Sequence, residues 1–226
     1  MKMTNKSLSS IKRDWHRCLP ELGVFTASQF YRIVGPFVTG VRIVSTGGDY
    51  CPYHMALGLW SDGPFQHHVV AEYMLTQKSG ADFAIRIREH DTRFETACAA
   101  FRKQAFLPLI GDIEFATLRS SVTAYSQTLE GSIKGIADEA INLRTLYYGA
   151  LYAGLDDIWK PMLERANKSV ADEWDSPTFR IWLGDQSEFV AKLNYDAEHR
   201  EEFLSRIKDT ISKGSLSKLP RADLIA

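Results

Sequence analysis

Between residues 30 and 60 the chain alternates short runs of β-forming residues with residues that reverse the chain. The runs cover residues 30–34, 38–45 and 55–60. Between them stand Gly35-Pro36 and Gly47-Gly48-Asp49, which are strong turn signals. The pattern therefore predicts an antiparallel meander, an arrangement that binds a partner more often than it performs catalysis.

Helical patterns lie on both sides of this meander. Residues 11–19 place Ile11, Trp15 and Leu19 on one face of a predicted helix. After the meander, residues 67–75 are ambiguous between strand and helix, whereas residues 83–88 alternate clearly and predict a strand. From Thr92 onward, apolar residues recur at helical spacing as far as Ser212.

This order of elements predicts an α+β fold: an N-terminal helix, an antiparallel sheet of four to five strands, then a helical C-terminal half. We expect a sheet lobe with its helix over residues 1–91, a helical lobe packed on it over 92–212, and a flexible tail over 213–226. The lobes would form one compact unit.

Charge and hydropathy limit the partners that this chain can have. Its 226 residues carry 27 basic and 28 acidic side chains, a net charge of −1. This balance argues against nucleic acid or an anionic membrane as partner, because both normally require a basic face. No stretch is long and apolar enough to span a bilayer. A protein partner is the expectation, and the oligomeric state is left open.

The three cysteines, Cys18, Cys51 and Cys98, are far apart and show no regular spacing. An odd number of widely spaced cysteines is typical of reduced thiols, so we expect a cytoplasmic protein. The N-terminal residues are polar and basic, unlike a secretory signal.

Motifs that carry a known reaction mechanism are absent from the sequence, and no cofactor is expected. Cys51, His54 and His67 form the one combination with nitrogen and sulfur ligands close enough in sequence to suggest zinc. His67 and His68 would point to opposite faces of a strand, so at most one of them could join such a site. Partly exposed strand residues are the alternative interpretation.

A second group, Glu89-His90-Asp91, follows the predicted 83–88 strand. A histidine beside carboxylates is a candidate general base, so His54, His67, Glu89 and His90 are the candidate catalytic residues. The alternative is a charged turn at the end of a strand.

Several residues are candidates for binding. Arg86 and Arg88 lie on the outward side of the predicted strand and could bind an anion or an acidic partner, or simply form a polar sheet face. The aromatic candidates flank the turns of the meander: Tyr50, Tyr53, Trp60 and Phe65. Large aromatic side chains near loops either anchor a partner or close the core.

The spacing Trp15-x-x-x-Leu19-x-x-Leu22-Gly23-x-Phe25, followed by Phe30-Tyr31-Arg32, Gly40-Val41-x-Ile43 and Ala56-Leu57-Gly58-Leu59, resembles a group of small bacterial domains of unassigned function. Those domains are related to the immunity proteins that neutralise toxins in bacterial competition. The resemblance covers about fifty residues, consists of apolar and glycine positions, and carries no catalytic residue. It implies an α+β binding domain.

The sequence therefore favours a non-enzymatic protein-binding factor of bacterial or phage origin, immunity or defence-related, that occludes a protein partner. Its expected contact surface is an open sheet face together with the loops at residues 50–53 and 60–65. Two alternatives stay open: a small metal- or nucleotide-dependent enzyme that uses the His/Glu cluster, and a structural subunit of a larger assembly.

Overall fold

The computed structural model describes residues 6–60, 69–128, 133–168 and 184–226, with only the backbone described for 133–142. The helices are α1 (Leu8–Cys18), α2 (His90–Gln104), α3 (Phe115–Ser126), α4 (Ile133–Ala153), α5 (Asp156–Lys168), α6 (Gln186–Glu198) and α7 (Arg200–Ile211). The strands are β1 (Gly23–Thr26), β2 (Gln29–Val34), β3 (Phe37–Thr46), β4 (Asp49–Gly58), β5 (Val69–Met74), β6 (Ile85–Arg86), β7 (Ile113–Glu114), β8 (Arg221–Ala222) and β9 (Leu224–Ile225).

Strands β1 to β5 pair antiparallel in chain order, which confirms the predicted meander and the α+β class. The β3–β4 hairpin is the longest pairing and runs from Phe37 opposite Gly58 to Thr46 opposite Asp49. Its turn contains Gly47 and Gly48 at φ of 55° and 106°, a backbone region that glycine adopts readily. The third predicted run therefore begins six residues earlier than its apolar residues suggest, at Asp49 rather than Met55.

Both faces of the sheet are covered. In β2 every residue from Phe30 to Val34 is buried, and in β3 the same holds from Phe37 to Val41. One apolar cluster joins α1 and α2 to the sheet through Trp15, Val41 and Phe101. A second cluster joins the sheet to α3, α4, α6 and α7. The open sheet face expected as a contact surface is therefore absent from the central strands that the structure describes.

Residues 83–88 do not form the continuous strand that their alternation predicts. Only Ile85 and Arg86 pair with β4, and a 3-10 turn over Ile87–Glu89 leads directly into α2. The alternation itself is kept, since Phe83 and Ile85 are buried while Ala84 and Arg86 are exposed. Residues 83–88 therefore bury one set of alternating side chains although only two of these residues pair with a neighbouring strand.

The C-terminal residues are ordered, which corrects the expected flexible tail over 213–226. β8 pairs parallel with β2, and β9 pairs parallel with β7. Leu216, Leu219 and Leu224 are buried in the larger apolar cluster. Leu216 and Leu219 are three positions apart, but a single such pair in a short polar segment does not define a helix or a strand, so local sequence did not reveal their role.

Cys18 and Cys98 form a disulfide between α1 and α2, contrary to the expectation of three reduced thiols. Their Cα atoms are 6.6 Å apart, inside the range that disulfides accept. Only the tertiary packing of the two helices brings these residues together, because they are 80 positions apart. Cys51 remains a free, buried thiol.

Candidate functional site

A groove of about 790 Å³ lies along α2, and we call it the α2 groove. One wall is the exposed side of α2 from Thr92 to Gln104. The other wall is a hairpin over residues 75–83, which contributes residues 76–79 and Phe83. The hairpin is closed by hydrogen bonds from Phe83 N to Leu75 O at 2.7 Å and from Gln77 N to Ala81 O at 2.8 Å.

Small side chains form the floor of the α2 groove. Thr96, Ala99 and Ala100 line it, and Thr96 and Ala99 are exposed. The opposite side of α2 carries Cys98 and Arg102, which hold the helix against α1. Arg102 Nη2 donates to Cys18 O at 2.6 Å, and the same guanidinium pairs with Glu21. Contacts with α1 therefore hold α2 in place on the side of the helix that faces away from the groove.

The groove continues into a second concave region of about 550 Å³ between the end of α2 and α3. Thr76, Lys103 and Gln104 line both regions, so they form one continuous surface. Each of the two regions taken separately has a volume within the range of about 300–1,000 Å³ that ligand pockets show.

Side chains occupy the free edge of the sheet beside this surface. The side-chain amide of Gln104 pairs with the backbone of Thr76 as a neighbouring strand would. Thr76 N donates to Gln104 Oε1 at 3.1 Å, and Gln104 Nε2 donates to Thr76 O at 2.7 Å. The hydroxyl of Tyr125 lies 3.4 Å from both the backbone nitrogen and the carbonyl oxygen of Glu72. An incoming strand would have to displace both groups, so a bound segment is expected to contact side chains in the groove rather than extend the sheet.

Some charged side chains of the α2 groove already pair with protein groups, and others do not. Arg93 donates to Ala84 O at 3.0 Å, pairs with Glu89 at 3.8 Å and lies over the Phe83 ring. Lys78 and Lys103 are exposed, and their ammonium groups make no ion pair or hydrogen bond within the described ranges. Two ammonium groups on opposite walls are thus available to a ligand, and Glu95 adds one carboxylate to the lining.

The two candidate metal ligands that the structure describes, Cys51 and His54, do not come together. His54 is 1% exposed and its imidazole stacks on Phe101 and Tyr73, with ring centroids 4.1 and 4.6 Å away. Cys51 is three positions away on the same strand and so projects to the other face. His67 lies outside the described residues. Within the described parts of the chain, no three metal-ligating side chains converge.

His90 belongs to a buried hydrogen-bonded network rather than to a cleft. Its Nε2 lies 3.2 Å from Asp14 Oδ2, and its Nδ1 lies 2.8 Å from the Tyr50 hydroxyl. A carboxylate only accepts hydrogen bonds, so Nε2 donates to Asp14 and Nδ1 accepts from Tyr50. Lys6 bridges Asp14 and Asp91 at 2.8 and 2.6 Å.

Electrostatics keep this network in one protonation state. Burial lowers the pKa of His90, and the nearby Lys6 ammonium lowers it further. Burial alone would raise the pKa of Asp14, but its hydrogen bond and attraction to Lys6 outweigh that effect and lower it. A neutral imidazole held between a carboxylate and a phenol joins α1, β4 and α2. Both ring nitrogens are already occupied, which leaves none for a substrate.

The aromatic binding candidates differ in their burial. Tyr50 and Trp60 are buried: Tyr50 joins the His90 network, and Trp60 stacks on Tyr148 with ring centroids 4.9 Å apart. Neither is the exposed anchor that was expected, because both rings are buried against other side chains of the fold. Tyr53 is half-buried beside Arg42, and Phe65 lies outside the described residues.

Arg86 and Arg88 are exposed at the start of α2. Arg86 lies 3.7 Å from Glu89, the carboxylate that also pairs with Arg93. Glu89 therefore pairs with two guanidinium groups, and these ion pairs give it a structural role. Neither Arg86 nor Arg88 lines the α2 groove.

Sequence reasoning missed Lys78, Thr96, Ala99 and Lys103. The buried stripe of α2 was visible from Ala97, Cys98 and Phe101, so the opposite face was expected to be exposed. Nothing local indicated that the 75–83 hairpin lies beside that face, since this placement depends on pairing between distant segments.

Comparison with known proteins adds no relative. No family model matches the chain, no curated protein matches it, and no solved structure matches the fold. In the described residues no helix has the length and apolar character needed to cross a membrane.

Proposed function

We propose that this chain is a non-enzymatic protein-binding factor that acts by occluding a protein partner, with the α2 groove as its contact surface. The observation that carries the proposal is the groove itself: a concave surface with a floor of small side chains and two uncommitted lysines. Such a surface supplies shape and charge for recognition.

The positions of the histidines support binding over catalysis. The grooves that we describe along α2 are not lined by His54 or His90. His54 lies between two aromatic rings, and both ring nitrogens of His90 are hydrogen-bonded to protein side chains. A general base has to reach the proton that it removes.

A defence-related role in a bacterial or phage setting is part of this proposal. It rests on the resemblance of residues 15–59 to bacterial domains related to immunity proteins. The structure packs most of those apolar positions into the core, including Trp15, Leu19 and Leu22. They support a shared scaffold, whereas the groove residues lie outside the resemblance.

The test is capture of a partner with matched variants. The wild-type chain, Ala99→Trp and Ala191→Trp are used as baits in an extract of the native host. Ala99 is on the groove floor, and Ala191 is an exposed alanine on α6, outside the groove. We expect one stoichiometric partner that is captured by the wild type and Ala191→Trp but lost with Ala99→Trp. Equal capture by all three baits would contradict the groove as the contact surface.

A further inference from the structure

We infer that the α2 groove, if it is the contact surface proposed above, takes an extended acidic segment of the partner. The inference starts from the charge of the lining of the two adjoining regions, which contains Lys78, Arg93 and Lys103 against Glu95 and Asp82. The chain as a whole carries a net charge of −1, so this local excess of cations differs in sign from the rest of the molecule.

The two walls set the spacing of the acidic groups. Lys78 is on the hairpin and Lys103 is on α2, on opposite sides of the groove. Successive side chains of an extended segment point in opposite directions, so neighbouring acidic residues would reach the two lysines at once. A segment with consecutive acidic residues therefore fits better than a single anion.

The length of the groove sets the length of the segment. The lining of α2 runs from Thr92 to Gln104, which is about 18 Å at the rise of an α-helix. An extended chain advances about 3.3 Å per residue, so about five or six residues fill the groove.

The charges also orient the segment. Lys103 is at the C-terminal end of α2, whereas Glu95 is in its first half, where Arg93 is already paired with Glu89. The acidic residues are therefore placed toward Lys103, and Glu95 opposes acidic residues at the other end. Replacing Glu95 with a neutral residue should strengthen binding, while reversing the lysines should weaken it.

The experiment measures fluorescence polarisation of a labelled hexapeptide with four consecutive glutamates between two alanines. At about 50 mM salt, Lys78→Glu with Lys103→Glu should weaken binding at least about tenfold, and Glu95→Gln should strengthen it about twofold. The control is Lys213→Glu with Lys218→Glu, which changes the net charge equally at exposed positions outside the groove. It should leave binding within about twofold of wild type at that salt.

Three results would overturn the inference: no binding at about 1 mM peptide, equal weakening by both lysine pairs, or equally tight binding of a six-nucleotide thymidine DNA. The last result would indicate a general anion site. Failure here is distinguishable from failure of the proposed function. If Ala99→Trp abolishes partner capture while the groove lysine variant retains it, the contact surface stands and the acidic segment is wrong.

Discussion

At the scale of single residues, His54 is the side chain whose chemistry fits its surroundings least. It is buried between Tyr73 and Phe101, and neither ring nitrogen has a hydrogen-bond partner in the described parts of the chain. Burial lowers the pKa of His54 to about 3. The imidazole thus serves as an aromatic ring that carries two unsatisfied polar atoms, which costs stability.

This position makes folding sensitive to acid. Because the pKa of His54 is lower in the folded state than in the unfolded state, the unfolded chain binds the proton more tightly. The free energy of unfolding is therefore highest above pH 6.5 and falls as the pH drops toward 3. At pH 5 the loss from His54 is about 2 kcal/mol. We expect His54→Phe to reduce the fall in unfolding free energy between pH 7 and pH 5 by about this amount, measured by urea denaturation. An unchanged pH dependence would contradict the assignment.

At the scale of elements, α2 connects α1 on one side to the groove on the other. One side of it is held to α1 by the Cys18–Cys98 disulfide and by Arg102, and the other side lines the groove. Closing a loop of 80 residues restricts the unfolded chain, which stabilises the fold by about 4 kcal/mol in the loop-entropy account.

The disulfide gives a direct prediction. Reducing agent should lower the unfolding free energy of the wild type by about 3–4 kcal/mol and should leave Cys98→Ser unaffected. If the unfolding midpoint of the wild type did not change with reductant, the Cys18–Cys98 disulfide would be contradicted. The redox state of Cys18 and Cys98 in cells would also test the cytoplasmic location expected from the sequence, because the cytosol keeps most protein thiols reduced.

A second link between elements is the buried carboxylate of Asp196 on α6. It accepts from Arg206 of α7 at 2.7 Å and from the Tyr148 hydroxyl of α4 at 3.1 Å, and Lys192 lies 3.5 Å away. Its side chain is fully buried, so these partners replace the water that it loses on folding.

Removing this carboxylate should loosen the helical half. Asp196→Ala leaves Arg206 without its buried partner and should cost about 3 kcal/mol in thermal or chemical unfolding. Asp209→Ala, at an exposed position on α7, is the matched control and should cost less than about 0.5 kcal/mol. Similar costs for the two variants would contradict the role of Asp196 as the link between α4, α6 and α7.

At the scale of the whole molecule, the sequence predicted the parts better than their arrangement. The meander, the first helix and the α+β class could be read from turn glycines and apolar spacing, which are local signals. The burial of Trp60, the docking of Leu224 and the approach of Cys18 to Cys98 depend on contacts between distant segments. The α2 groove belongs to this second kind, because its walls come from a hairpin and a helix whose packing has no local signature.

The central claim is that the protein works through the α2 groove, and mapping of amide chemical shifts by NMR tests it most directly. Addition of the captured partner, or of the glutamate hexapeptide, to labelled protein should shift the amides of residues 76–79 and 92–104. The β1 and α6 amides should remain in place. Shifts that cluster on another face while residues 76–79 and 92–104 stay unperturbed would contradict the account.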